Sequence, residues 1–321
     1  MFCKVKFHLT GMNEVLLACY AETGLSYEEA MVVLEHALPP AAGGEKPIDG
    51  MNSARDVYQK EKSMGKIITF SAGMDKMLGG GLPLGQVTEF CGVPGIGKTQ
   101  IGIQLAINVQ LPVEFSGLDG EAVYIDSEGS FSKERFSDMA QGFLQHLRKV
   151  SQARRDPERE RASNTMSVQG MMQKLHYFRV RDASEQLAVV ELLPSFLLQH
   201  PRVKVIVMDS VAFHFRQDFD DFGARTRILN QMSQQLMSLS NSYQLAVVLM
   251  NQMTTRIAEG QSRLVPALGD SWAHAATNRI LLYWKDESRF AFLFKSPVMP
   301  ASTSEYVVTS AGIRTKKSRN P

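Results

Sequence analysis

The octapeptide "GVPGIGKT", Gly92 to Thr99, constrains this chain more than any other stretch. It fits G-x-x-x-x-G-K-[ST] and lies between an apolar run, "QVTEFC", and a helically periodic stretch, "TQIGIQLAINVQ". Glycines at 92, 95 and 97 let the backbone bend until successive N–H groups converge on one point. The start of the following helix adds its partial positive charge there. Gly92, Val93, Pro94, Gly95, Ile96, Gly97, Lys98, Thr99 and Gln100 are therefore read as nucleotide-binding positions. Lys98 is expected to reach the β- and γ-phosphates, and the Thr99 hydroxyl to ligate Mg²⁺. ATP and Mg²⁺ are the expected cofactors.

A phosphate loop of this kind requires a parallel sheet, and the chain supplies one. "VTEFCG", "EAVYID", "HYFRV", "VKVIVMD" and "LAVVLMNQ" are nearly continuous apolar runs, as suits strands covered by helices on both faces. After Thr277 the runs "RILLYWKD", "RFAFLFKSP" and "SEYVVTSAG" follow at short intervals, which predicts antiparallel strands at one edge. The fold class is α/β, a central mostly parallel sheet with antiparallel edge strands and helices on both faces. Residues 1–38 are read as a small helical region with a capping box at Ser26 and Glu29. Residues 39–65 are read as a linker, 66–315 as the core, and 316–321 as a basic tail. The mixed charge run "QARRDPERERASN" reads as a solvated helix end or loop.

A net charge of +2 is too small for the overall field to attract nucleic acid, so any DNA contact must use a local patch. Cys3, Cys19 and Cys91 have neither paired nor metal-type spacing, which suits a reducing compartment. No apolar run approaches the roughly 20 residues that cross a bilayer, so no membrane role is expected.

Two strands end in acids. Asp209, closing "VKVIVMD", matches the acid that holds magnesium in phosphate-loop enzymes. "EAVYIDSEGSF" carries Asp126 and, just past the strand, Glu128. From there a carboxylate can face the γ-phosphate beside Lys98 and orient a water for in-line attack. Asp126 is expected on the same side by strand alternation.

"LGGGLPLGQVTEFCGVPGIGKTQ", "EAVYIDSEGSF", "VIVMDS", "LAVVLMNQM" and "WAHAATNRI" occur in this order. The series resembles the RecA-family strand-exchange ATPases of eukaryotes and archaea, and "VPALGDSWAHAAT" and "FLFKSP" look most like the C-type branch of the eukaryotic recombinase paralogues. The resemblance covers about Met51 to Thr315 and implies a RecA-type ATPase core with a truncated helical N-terminal region. It implies that Glu128 is the catalytic glutamate, with Lys98 and Gln252 also catalytic, and that Thr99 and Asp209 hold the metal. Arg135 would pack on the adenine ring, and Gln252 would sense the γ-phosphate and signal to a DNA-binding loop.

Two loops would meet DNA. Arg216, Arg225 and Arg227 lie in the first, among Asp218, Asp220 and Asp221, and Arg256 and Arg263 lie in the second. The segment containing Lys295, Ser296, Pro297 and Pro300 would cap the ATP of a neighbouring subunit, with the Lys295 ammonium where relatives have an acid and a bound cation. His274 would lie at a subunit interface. "MNSA", with Met51 and Ala54, stands where relatives carry an aromatic docking residue, so Met replaces the aromatic. "RTKKSRNP" reads as a nuclear import signal.

The implied function is an ATP-dependent mediator of homologous recombination in the nucleus. Its implied partners are single-stranded or branched DNA, other recombinase paralogues in a hetero-oligomer, and the main recombinase filament. Two alternatives stay open at this point: an adaptor that binds ATP as a stable brace, and an autonomous filament-forming strand exchanger.

Overall fold

The computed structural model describes residues 53–216, 219, 221–258 and 261–316. The expected N-terminal helices, Met51, Asp218, Asp220 and most of the basic tail lie outside the described residues. Ser63 to Pro321 forms one compact unit, and the short piece before it is described by itself.

That piece contains helix α1 (Ala54–Ser63), where the sequence reading expected only linker. Its start explains it: the Ser53 hydroxyl accepts from the Asp56 N–H at 3.1 Å, and the Asp56 carboxylate accepts from the Ser53 N–H at 3.3 Å. This reciprocal cap satisfies two backbone donors that would otherwise oppose helix formation. None of the α1 side chains is buried.

In the main unit, β1 (Lys66–Ile67) pairs with β2 (Leu82–Pro83), with α2 (Ala72–Met77) between them. The central strands are β3 (Val87–Gly92), β4 (Glu121–Asp126), β5 (Leu175–Arg179), β6 (Val203–Asp209) and β7 (Ala246–Asn251). The antiparallel edge is made by β10 (Asn278–Lys285), β11 (Ser288–Lys295), β12 (Ser302–Thr309) and β13 (Gly312–Thr315). Between β7 and β10 a separate hairpin forms from β8 (Met253–Ala258) and β9 (Gln261–Pro266), followed by the short helix α9 (Gly269–Trp272). The strands of the large sheet lie in the order β13-β12-β11-β10-β3-β7-β6-β4-β5, parallel from β10 to β5. The expected mixed sheet is therefore present.

Alternation along each strand divides the core in two. Tyr124, Val205, Val207, Val248 and Met250 face α3 (Lys98–Asn108) and α4 (Lys133–Arg154), whereas Val123, Ile125, Ile206, Met208 and Leu249 face α7 (Ala183–Gln199) and α8 (Phe222–Tyr243). Both faces are dry, which is why the sequence shows continuous apolar runs and no alternation. Each such Val, Ile or Leu contributes roughly 1.5–3 kcal/mol by leaving water.

The charge run proves to be two helices. α4 extends to Arg154 and ends at Arg155, whose φ of 51° is left-handed. Asp156 then caps α5 (Pro157–Thr165), accepting from the N–H groups of Glu158 and Arg159, with Pro157 in the first turn. That order of capping acid and proline is a helix start, so the run holds the expected helix end at Arg154 and a second helix in place of a loop. A further short helix, α6 (Val168–Gln173), leads into β5.

Candidate active site

The site forms where β3, β4, β6 and β7 end. Gly95 (φ 75°) and Gly97 (φ 113°) bend the loop through conformations that side chains resist, and a Cβ at Gly95 would have nothing within 4 Å. Gly92 and Ile96 are buried, whereas Pro94 and Gly95 are exposed. Lys98 donates from Nζ to the carbonyls of Gly92 (2.9 Å) and Val93 (3.1 Å), which holds its ammonium over the loop. Burial lowers the Lys98 pKa, and the Asp209 and Glu128 carboxylates work against that shift. The Thr99 hydroxyl lies 3.4 Å from that of Ser130. An open glycine cradle beside a hydroxyl and a carboxylate is a hard-oxygen environment suited to a triphosphate and Mg²⁺.

Asp126 and Asp209 are direct register partners across β4 and β6, yet their surroundings differ. The Asp126 carboxylate accepts from the N–H groups of Gly129 (2.7 Å), Ser130 (3.2 Å) and Phe131 (3.1 Å), and from the Tyr177 hydroxyl (2.9 Å). It therefore folds the "SEGSF" turn and presents Glu128. The expectation that Asp126 faces the site alongside Glu128 gives way to this structural role. Asp209 accepts from the Tyr124 hydroxyl at 2.9 Å and lies 3.5 Å from the Ser130 hydroxyl. Burial raises its pKa, and hydrogen bonds from Thr99 and Tyr124 oppose the rise.

Glu128 is exposed, and its Oε1 accepts from the Ser210 hydroxyl and from Gln252 Nε2, both at 2.6 Å. Gln252 Oε1 in turn accepts from the Arg216 guanidinium at 2.6 Å. Ser210 had no role in the sequence reading although it directly follows Asp209. Its position is fixed by Ser127, whose hydroxyl accepts from the Ser210 N–H and donates to its carbonyl, each at 2.7 Å. Ser130 and Tyr124 were also missed, because hydroxyls within apolar or turn segments carry no distinctive spacing.

Arg135 is held by its in-plane donors, which bond Gln100 Oε1 and the carbonyls of Thr309 and Ser310. Bonding at the guanidinium edges leaves the ring-stacking faces as its other contact surface.

Beneath the site lies a buried polar cluster. Glu89 accepts from Arg279 Nε, from Asn251 Nδ2 (2.7 Å) and from the Trp272 indole (2.9 Å). Because Asn251 and Trp272 flank the β8–β9 hairpin in sequence, the cluster ties both ends of the hairpin to the strand that precedes the phosphate loop.

The expected DNA-contact arginines fall on three elements. Arg216 ends a 3₁₀ turn (His214–Arg216), Arg225 and Arg227 lie early in α8, and Arg256 and Arg263 are register partners on the hairpin. Arg256 is paired with Asp270 at 2.9 Å. Asp221 is the N-cap of α8, accepting from Gly223 and Ala224, so this acid serves the helix. Lys295 donates to the carbonyls of Ala273 (2.9 Å) and Ala276 (2.7 Å), on either side of the exposed His274. Ser296 Oγ accepts from the Met299 N–H at 3.2 Å, and Pro297 and Pro300 are exposed. Ala54 opens α1 and is exposed.

Among the described residues no helix is long and apolar enough to cross a membrane. The chain matches the model of the Rad51 family over residues 60–155 and 160–316. It is 44% identical to "DNA repair protein RAD51 homolog 3" of Cricetulus griseus, over 91% of this chain and 82% of that protein. Identity is 40% to the protein of the same name in Dictyostelium discoideum, over 83% of this chain and 70% of the relative. It is 32% to "DNA repair and recombination protein RadA" of Aeropyrum pernix, over 82% and 77%. With its RecA-type sheet and this site, the chain belongs to the Rad51 family, as a C-type eukaryotic paralogue.

Proposed function

We propose that this chain binds ATP-Mg²⁺ and DNA and hydrolyses ATP as a recombinase paralogue in homologous-recombination repair. The observation that carries the reading is the run of hydrogen bonds from Arg216 through Gln252 to Glu128. It links an arginine of the first DNA loop to the carboxylate best positioned to activate water. The names of the relatives, DNA repair and recombination proteins, support the same reading.

In this mechanism Gly92 to Gln100 cradle the phosphates, and Lys98 neutralises charge on the γ-phosphoryl oxygens. Thr99 and Asp209 hold Mg²⁺, which when bound supplies further neutralisation of that charge. Glu128 accepts the proton of the attacking water, and Ser210 and Gln252 orient its carboxylate. Arg135 stacks on the adenine through its free face. Gln252 is positioned to change partners when Arg216 turns towards a DNA phosphate.

Arg225, Arg227, Arg256 and Arg263 supply the other phosphate contacts. Arg256 and Arg263 stand directly opposite each other on the hairpin, and the Asp270 carboxylate already offsets part of their mutual repulsion. The chain works in a hetero-oligomer of paralogues that serves the main recombinase filament, in the nucleus. There Ser296, Pro297 and Pro300 cap a neighbour's ATP beside Lys295, with His274, Met51 and Ala54 at subunit contacts. Residues 66–315 act as the ATPase core, and the segment before it, which includes α1, carries the docking role.

ATP turnover with and without single-stranded DNA tests the proposal. DNA-stimulated hydrolysis supports it. Tight ATP binding without hydrolysis under either condition would replace it with the brace reading.

A further inference from the structure

A second group of chemically capable side chains lies at the opposite end of the sheet. Glu121 opens β4, His176 is the second residue of β5, and His200 caps the C-terminus of α7. Phosphate-loop chemistry is concentrated at the C-terminal ends of the strands, about 17 Å away along β4. The three ligand-type atoms of this group all lie within 4.8 Å of one another.

The fold brings them together by register. Val123 pairs with His176 across β4 and β5, and Glu121, two residues before Val123, shares its face. Val123 belongs to the core layer that packs on α7, and α7 ends at His200 on that same side. Two strands and a helix end therefore each deliver one ligand, all held by main-chain hydrogen bonds, including His200 N–H to the Phe196 carbonyl at 3.0 Å.

The local chemistry fits a transition metal. His176 Nε2 lies 2.8 Å from Glu121 Oε2, and the two imidazole rings are 4.5 Å apart. Phe196 stacks on His200 at 4.2 Å and meets His176 edge-on, so the rings are partly sheltered from water. The side chains of Glu121 and His176 are 18% and 20% exposed, less open than ordinary surface carboxylates and imidazoles. The other Glu121 oxygen, Oε1, lies 3.6 Å from Arg202 Nε. Arg202 also donates to the Asp119 carbonyl (3.0 Å) and carboxylate (3.2 Å). That anchorage keeps Arg202 on the outer side of Glu121 and leaves Oε2 turned towards the histidines, as outer-shell partners do in metal sites.

We propose that Glu121, His176 and His200 form a binding site for a divalent transition metal, Zn²⁺ being the best fit. Two imidazoles and one carboxylate select Zn²⁺ over Mg²⁺ or Ca²⁺, which prefer all-oxygen shells. Ligand bonds to Zn²⁺ are about 2.0–2.2 Å, so three ligand atoms already within 4.8 Å of one another can close on a single ion. The bound ion clamps the end of α7 to β4 and the sheet-edge strand β5, and leaves a fourth position facing solvent. The site has no part in nucleotide binding.

The test uses the full-length chain, stripped with chelator and titrated with ZnCl₂ and separately with CoCl₂. Tight binding of one equivalent, with a Co²⁺ visible spectrum of nitrogen and oxygen ligation, supports the site. Zn²⁺ at a hundredfold excess over its Kd should raise Tm by about 5 °C or more. Both effects should disappear in His200→Ala and in Glu121→Gln, while fluorescent-ATP binding by each variant shows that the fold persists. Retention of that equivalent in both variants, a thiolate-type Co²⁺ spectrum, or no saturable binding would each overturn the proposal. Should His200→Ala fail to fold, Glu121→Gln decides alone, because it keeps shape and hydrogen bonding while removing the anionic ligand.

Discussion

Gln252 donates from Nε2 to the Glu128 carboxylate at 2.6 Å while its Oε1 accepts from Arg216 at the same distance. One amide thus joins the carboxylate next to the phosphate loop to an exposed arginine. A glutamine can do this because its side chain carries both a donor and an acceptor end. A phosphate that draws Arg216 away leaves the amide free to reorient, and Glu128 then keeps Ser210 as its fixed partner.

If this coupling operates, Arg216→Ala and Gln252→Ala separate DNA sensing from nucleotide binding. Each variant should bind ATP with unchanged affinity and lose about tenfold in the ratio of DNA-stimulated to basal turnover, the effect of one charge-assisted hydrogen bond. ATPase titrations against single-stranded DNA measure this directly. Full stimulation in both variants would separate the arginine from catalysis.

The buried Asp209 carboxyl makes a pH-dependent prediction. Burial lifts its pKa above the ordinary 3.8 despite opposing hydrogen bonds from Thr99 and Tyr124. A carboxyl shifted this way favours folding in its protonated form. That contribution is complete below 3.8 and is lost as pH rises through the folded value. At neutral pH the ionised group therefore opposes folding. Asp209→Asn should raise the Tm of the nucleotide-free chain at pH 7, with the gain narrowing as pH falls towards 3.8. The same variant should lose Mg²⁺-dependent ATP binding. Thermal scans across pH, with and without Mg-ATP, check both halves.

Glu89 and Arg279 form a buried ion pair directly under the phosphate loop. Arg279→Met leaves Glu89 charged and unpaired, a change that should cost about 3–5 kcal/mol in urea denaturation. The double variant Glu89→Gln with Arg279→Met should recover most of that loss, since no lone charge stays buried. Equal loss in the single and double variants would locate the stability in packing and not in charge.

Asp126 presents Glu128 without touching the nucleotide in this account. Asp126→Ala removes the acceptor for three backbone N–H groups and the Tyr177 hydroxyl. It should destabilise the chain by about 3 kcal/mol and lower turnover as the "SEGSF" turn loosens. Unfolding curves and ATPase rates on one preparation would show the two effects together.

Much of this was legible from residues. The phosphate loop announced itself because glycine, lysine and threonine are needed at fixed positions by phosphate geometry, and the central strands did because both their faces are dry. What escaped depended on local capping or on distant partners. α5 was hidden in a run of charges because one capping aspartate and one proline decided it. The β8–β9 hairpin was read as a loop because its position is set by Asn251 and Trp272 reaching Glu89, far away in sequence. Ser210 and Asp126 stood in quoted motifs, yet their roles follow from who donates to whom, which spacing cannot encode. The edge lysine Lys295, read as a trans cap, is seen in this chain to tie down the backbone on both sides of His274.

The central claim is that Glu128 activates the attacking water, and single-turnover ATP hydrolysis by wild type and Glu128→Gln, with single-stranded DNA present, tests it most directly. The account predicts equal ATP affinity in the two proteins and a rate lower by roughly 10²–10⁴-fold in the variant. Equal rates in the two proteins would contradict it and leave Glu128 as no more than a surface partner of Ser210 and Gln252.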